Sequence, residues 1–77
     1  MFQLDNDLRK RILEFLAENG EKPTGEIAQH LGADMERVRY RLLRLAADGL
    51  VERHVLRPKI IMWKITEKGR EYLKTQQ

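Results

Sequence analysis

Between positions 37 and 44 the chain carries four arginines and a tyrosine: Arg37, Arg39, Tyr40, Arg41 and Arg44. Arginine's planar guanidinium donates two parallel hydrogen bonds, which fits guanine O6 and N7 or two oxygens of a phosphate. The Tyr40 phenol can donate to a phosphate or lie against sugar and base edges. A second basic group follows where Arg57 and Lys59 bracket Pro58, with Arg53 and His54 just upstream. Cations on a turn suit a phosphate backbone or a minor groove. Glu36, at the head of the first cluster, can accept from a cytosine amino group or simply complement a helix dipole.

Each of these residues also has an ordinary reading. Arginine is a good helix former and common on solvated faces. Arg37 and Arg41 could pair with Asp34 and Asp48, and a basic turn could guard edge strands. The arrangement is what raises the group above that reading. At about 100° per residue, Val38, Leu42 and Leu45 form one apolar stripe, flanked by Met35 and Ala46. Glu36, Arg37, Tyr40, Arg44 and Ala47 fall roughly opposite, with Arg39 and Arg41 on the flanks. Leu43 falls on the flank nearer solvent and is expected to pack on a neighbouring hairpin or on a partner.

The stripe places these residues on a helix over 35–47, with Asp34 as its N-cap and Asp48-Gly49 as its stop. Two helices precede it. The first spans 6–18, capped by Asp5 or Asn6, with Leu8, Ile12, Leu13, Phe15 and Leu16 at helical spacing and Asn19-Gly20 ending it. After the short connection Glu21-Lys22-Pro23, a second begins at Thr24. It carries Glu26 in its first turn and Ile27, Ala28 and Leu31 inward, and it stops at Gly32. Beyond Gly49 the period changes. Residues 50–55 and 60–65 read as strands around a loop at 56–59. Thr66 then caps a last helix to about Lys74, with Tyr72 and Leu73 inward. A lone hairpin is marginal in water, so this one must pack on the helices, and Trp63 reads as core. The order predicts an α+β winged helix-turn-helix: three helices, a two-stranded wing and a short C-terminal helix, as one domain over 1–77.

Other chemistries find little support. Cysteine is absent, so no disulfide or thiolate zinc site is available, and a reducing cytoplasm is compatible. His30 and His54 lack metal-ligand spacing. There is no glycine-rich phosphate loop or nucleophile elbow, and Glu14, Glu18 and Glu21 read as a solvated helix face. No catalytic residue, metal or cofactor is expected, and the chain is not read as an enzyme. No run reaches the roughly 18 apolar residues of a membrane span, and residues 1–5 lack the pattern of a signal peptide. Apolar residues make up 42% and charged residues 35% of the 77, a balance that suits a folded chain. Residues 1–33 carry four basic and six acidic side chains, and residues 34–77 eleven and six, so the formal +3 charge is concentrated where a polyanion would be met.

The runs Arg11-Ile12-Leu13-Glu14-Phe15-Leu16, Thr24-Gly25-Glu26-Ile27-Ala28, Val38-Arg39-Tyr40 and Gly49-Leu50-Val51, with Leu56-Arg57 and Trp63, resemble the FaeA/PapI-like family of small fimbrial transcription regulators. The resemblance covers roughly 9–65. It implies a bacterial regulator of a surface-structure operon, acting on DNA beside the leucine-responsive regulatory protein. It also places Arg39 and Tyr40 in a recognition helix and Arg57 in a wing.

Taken together, these readings predict a double-stranded DNA binder. Arg39 and Tyr40 would reach base edges in the major groove, and Arg57 and Lys59 would meet phosphates. The rival is a winged helix used as a protein-interaction adaptor, for which Leu43 and the modest net charge speak. A ligand-sensing repressor is a third reading, without a visible pocket. The charged tail leaves only a narrow apolar seam with the first helix, so a monomer or weak dimer that associates on DNA is expected.

Overall fold

The computed structural model describes residues 4–75, with side chains from Asp7 onward. Three helices come first: α1 (Leu4–Asn19), α2 (Thr24–Leu31) and α3 (Met35–Ala47). Strands β2 (Val51–Arg57) and β3 (Ile60–Ile65) and helix α4 (Glu67–Thr75) follow, and a two-residue strand β1 (Lys22–Pro23) lies between α1 and α2. This is a winged helix-turn-helix. The helices meet in a core of Leu8, Ile12, Leu13, Leu16, Ile27, Val38, Leu42 and Leu45, on which Val51, Trp63 and Ile65 of the sheet close. The expected stripe of α3 is therefore the buried one.

The turns follow from local chemistry. Gly32 takes the left-handed conformation, φ 62°, that ends α2 without a Cβ penalty. Asp34 then caps α3 by accepting from the Arg37 backbone N–H at 3.2 Å. Thr66 acts at both ends of its segment. Its hydroxyl accepts from the Gly69 N–H at 3.0 Å and donates to the Gly49 carbonyl at 2.7 Å, tying the start of α4 to the end of α3.

Several expectations are corrected. The first helix begins at Leu4, so Asp5 and Asn6 lie inside it rather than at its cap; their side chains are outside the described residues. The connection Glu21–Pro23 is not a plain loop, because Lys22 and Pro23 pair antiparallel with Trp63 and Met62. The sheet is thus three-stranded in the order β1-β3-β2 rather than a lone hairpin. Leu56 and Arg57 belong to β2, leaving only Pro58-Lys59 as the turn, with a bulge between Val55 and Arg57. Glu21 stands beyond α1, where its carboxylate meets the His54 ring at 3.1 Å instead of lining a solvated helix face. Tyr72 and Leu73, by contrast, face inward as expected: Leu73 is buried, and Tyr72 packs on the core with the Arg9 guanidinium 5.7 Å from its ring centroid.

Two details carry the packing. Trp63 is 1% exposed, and its Nε1–H donates to the buried Thr24 hydroxyl at 2.7 Å. Gly69 lets α4 approach the end of α3, since a Cβ there would collide with the Leu50 carbonyl and sit 2.6 Å from Ile65 Cγ1. Because the first of those obstacles is backbone, Gly69→Ala should destabilise by about 3 kcal/mol, near the upper end of overpacking costs, read as a lowered urea midpoint. Trp63→Phe should leave the Thr24 hydroxyl without its donor. A loss of about 1–3 kcal/mol is expected from that alone, with lost ring volume adding to it in the same titration.

Candidate nucleic-acid interface

Because Val38, Leu42 and Leu45 are fully buried, the rest of α3 is turned outward. Glu36, Arg37, Arg39, Tyr40 and Arg44 are exposed and Arg41 is half-buried, while Tyr40 keeps 51% of its surface in solvent. Tyr40 lies outside the core cluster, and half of its surface is open to a ligand.

The exposed groups are organised among themselves. Arg44 Nη1 donates to the Tyr40 hydroxyl at 3.2 Å, and the Arg41 guanidinium lies 5.1 Å from the Tyr40 ring centroid. Tyr40 is thus held between two cations one helical turn or less away. At the head of the helix, Arg39 Nη1 bonds Glu36 Oε2 at 2.7 Å. Glu36, Arg37, Tyr40 and Arg41 line a shallow depression of about 330 Å³ on the outward face. Its walls combine guanidinium donors, the Glu36 carboxylate as acceptor and the Tyr40 hydroxyl, which can do both, the mixture that base edges in a major groove present in complementary form.

The wing places its cations differently. Among the described residues Arg53, Arg57 and Lys59 have no ion-pair partner, and all three are exposed. Lys59 occupies the turn with φ 76°, and it is the one non-glycine residue with positive φ among those described. Pro58 fixes the preceding φ near −65°. The two signs are those of a type II turn, which favours glycine where Lys59 stands. Arg39 belongs to the wing side of α3: it lines, with Lys59, Ile60 and Met35, a cavity of about 180 Å³ between the helix and the turn.

Of the candidate residues read from sequence, the outward face of α3 unites Arg37, Tyr40, Arg41 and Arg44, and the wing cavity unites Arg39 with Lys59. Arg57 stands on β2 beside the turn. Leu43, expected to pack on the hairpin or on a partner, is 44% exposed and is not among the hydrophobic side chains packed against the core. Sequence reasoning missed the pairing of Glu36 with Arg39, although their separation of three residues on a helix is the spacing that allows it. His30, read from sequence only as lacking metal-ligand spacing, lies against Phe15 with ring centroids 4.3 Å apart and planes tilted by 31°.

Residues 4–54 match a family profile described as a helix-turn-helix domain. No curated protein sequence matches the chain. The fold is similar to a MarR-family transcriptional regulator from Silicibacter pomeroyi, at TM-score 0.83 and 25% identity over 88% of this chain and 47% of that one. It is similar also to the transcriptional regulator BldR from Sulfolobus solfataricus, at TM-score 0.78 and 26% identity over 88% and 50%. A third similar structure is the Cyprinid herpesvirus 3 ORF112-Zalpha domain bound to Z-DNA, at TM-score 0.70 and 30% identity over 79% and 95%. The chain therefore spans about half of the two regulators and nearly all of the Zalpha domain.

The strained turn yields a direct test. A left-handed conformation costs an ordinary residue about 1–2 kcal/mol, and glycine gives back about 0.5–1 kcal/mol in chain entropy. Lys59→Gly should therefore raise stability by about 0.5 kcal/mol, seen as a higher melting temperature; a lower one would show that the turn is not strained.

Proposed function

The chain belongs to the helix-turn-helix domain family, and from that premise we propose that it is a DNA-binding transcription regulator. Helix α3 enters the major groove with Arg37, Tyr40, Arg41 and Arg44 toward the bases, and the wing lays Arg57 and Lys59 on the backbone or minor groove. The observation that carries this reading is the half-exposed Tyr40, held by Arg44 and Arg41 on the face that the core does not use. The regulators of similar fold support it, as does the DNA complex of the Zalpha domain. The site residues and the wing's role belong to this proposal. A place at a fimbrial operon beside the leucine-responsive regulatory protein rests on the sequence resemblance alone. The adaptor reading retains one feature in its favour, the exposed Leu43.

Salt dependence separates the two readings. If three to five phosphates are neutralised, affinity for a random-sequence duplex should fall about 40- to 500-fold between 50 and 200 mM salt, by fluorescence anisotropy. An adaptor would show no binding to be weakened. A left-handed CG-repeat duplex is run as competitor, and its preferential binding would replace groove reading by backbone recognition.

Helix and wing should also divide the work. On a site selected from a randomised library, Arg37→Ala should cost about 1–3 kcal/mol, and much less on random duplex. Arg57→Ala should weaken both duplexes alike and lower the salt slope by about one. Equal losses on both duplexes for Arg37→Ala would remove base reading from that residue.

A further inference from the structure

Two basic residues from different elements line one cavity. Arg39 of α3 and Lys59 of the wing turn both line the cavity of about 180 Å³ whose apolar walls include Met35, Ile60 and Ile61. Lys59 has no ion-pair partner among the described residues, and its backbone is pinned by the turn at φ 76°. Arg39 is engaged, but by an exposed carboxylate: Nη1 to Glu36 Oε2 is 2.7 Å, with the Glu36 side chain 78% exposed. Exposed ion pairs of this kind are weak and readily exchanged.

We propose that Arg39 and Lys59 together seat a single backbone phosphate, and that Glu36 holds Arg39 until that phosphate displaces it. The proposal rests on the DNA-binding reading above and moves Arg39 from the base edges to the backbone. A phosphate in the cavity touches helix and wing at once. It therefore sets how deep α3 sits when the wing lies on the strand, which neither element can do alone. The apolar walls exclude part of the solvent and strengthen the attraction of both cations for one anion. Glu36 occupies the Nη1 donor of Arg39 and sets its negative charge beside the guanidinium, where it repels a phosphate brought to the same cation, so the two anions compete. Its charge thus acts against indiscriminate backbone binding, and a duplex must present its phosphate at the cavity to displace it.

Shared and separate phosphates give different double-variant behaviour. Binding of a random-sequence duplex is measured across a salt series for the full chain and for Arg39→Gln, Lys59→Gly and the double variant, with melting temperatures followed throughout. Lys59→Gly removes the ammonium while relieving the turn, so a loss of affinity there is not a loss of fold. A shared phosphate predicts that each single change weakens binding several-fold, that the double is little weaker than the worse single, and that its salt slope falls by about one. Multiplying effects with a slope lower by nearly two would mean two phosphates and overturn the proposal. Glu36→Gln should tighten binding several-fold in the full chain and hardly at all beside Arg39→Gln. Glu14→Gln, the same charge change on α1, should leave binding unaltered. If Glu36→Gln acts equally with and without Arg39, or Glu14→Gln matches it, then net charge rather than competition is responsible and Glu36 is no gate. If the unaltered chain binds no duplex at low salt, the DNA-binding reading fails and the seat fails with it.

Discussion

The bond from the Trp63 indole to the Thr24 hydroxyl ties the wing to the helices. It is buried, 2.7 Å long and joins residues 39 apart in sequence. Once the ring is inside the core, its N–H has no water to turn to, and Thr24 supplies the acceptor at the first position of α2. Trp63 lies on the central strand, so what fixes it fixes both neighbours: Lys22 pairs with it on one side and Arg53 on the other. The row Lys22, Trp63, Arg53 thus sets the sheet against the start of α2, and the wing extends from there.

The charged surface is positioned by apolar residues. Along β3, Ile61, Trp63 and Ile65 alternate on the inner face, so the strand leads from the core out to the wall of the cavity below the turn. On α3 the buried Val38, Leu42 and Leu45 fix the helix's rotation and with it the direction of every arginine. Hydrogen bonds at the far end do similar work. Thr66 and Gly69 bring α4 against the end of α3, where the Leu50 backbone leaves no room for a side chain.

Features set within a few residues were legible in the sequence. The stripe of α3, the Asp34 cap, the Gly32 stop and the Thr66 cap each depend on neighbours one turn away, and each stands where the pattern put it. The outward face of α3 followed from the same stripe. Features made by distant pairing were not legible. Lys22-Pro23 has no alternation to reveal a strand; it is one because β3 lies alongside. Gly69 looks like a weak point in a helix until the carbonyl of Leu50, nineteen positions earlier, is brought against it. The wing's extent was misjudged because Pro58 suggested a longer loop, whereas a two-residue turn with a bulge at Leu56 carries the strand to Arg57. Leu43 could not be placed from sequence, since the side on which the hairpin folds over α3 is a tertiary choice.

The two basic groups differ in their state at rest, and that difference has a physical consequence. On α3, Arg39 is bonded to Glu36, Arg44 to the Tyr40 hydroxyl, and Arg41 lies over the Tyr40 ring. Side chains already ordered lose less rotamer freedom on binding, so the helix suits contacts in which geometry decides. The bonds of Arg39 to Glu36 and of Arg44 to Tyr40 are solvent-exposed and individually weak, so exchanging them for a base edge or a phosphate costs little. Arg53, Arg57 and Lys59 on the wing have no such partners among the described residues. Their unneutralised charge reaches about one Debye length, roughly 8 Å at physiological salt, before any contact forms. Under the proposed DNA-binding function, the wing's part is to attract a polyanion of any sequence and the helix's part is to discriminate once the duplex has arrived. Arg39, engaged by a helical carboxylate yet facing the wing's lysine, stands where these two roles meet.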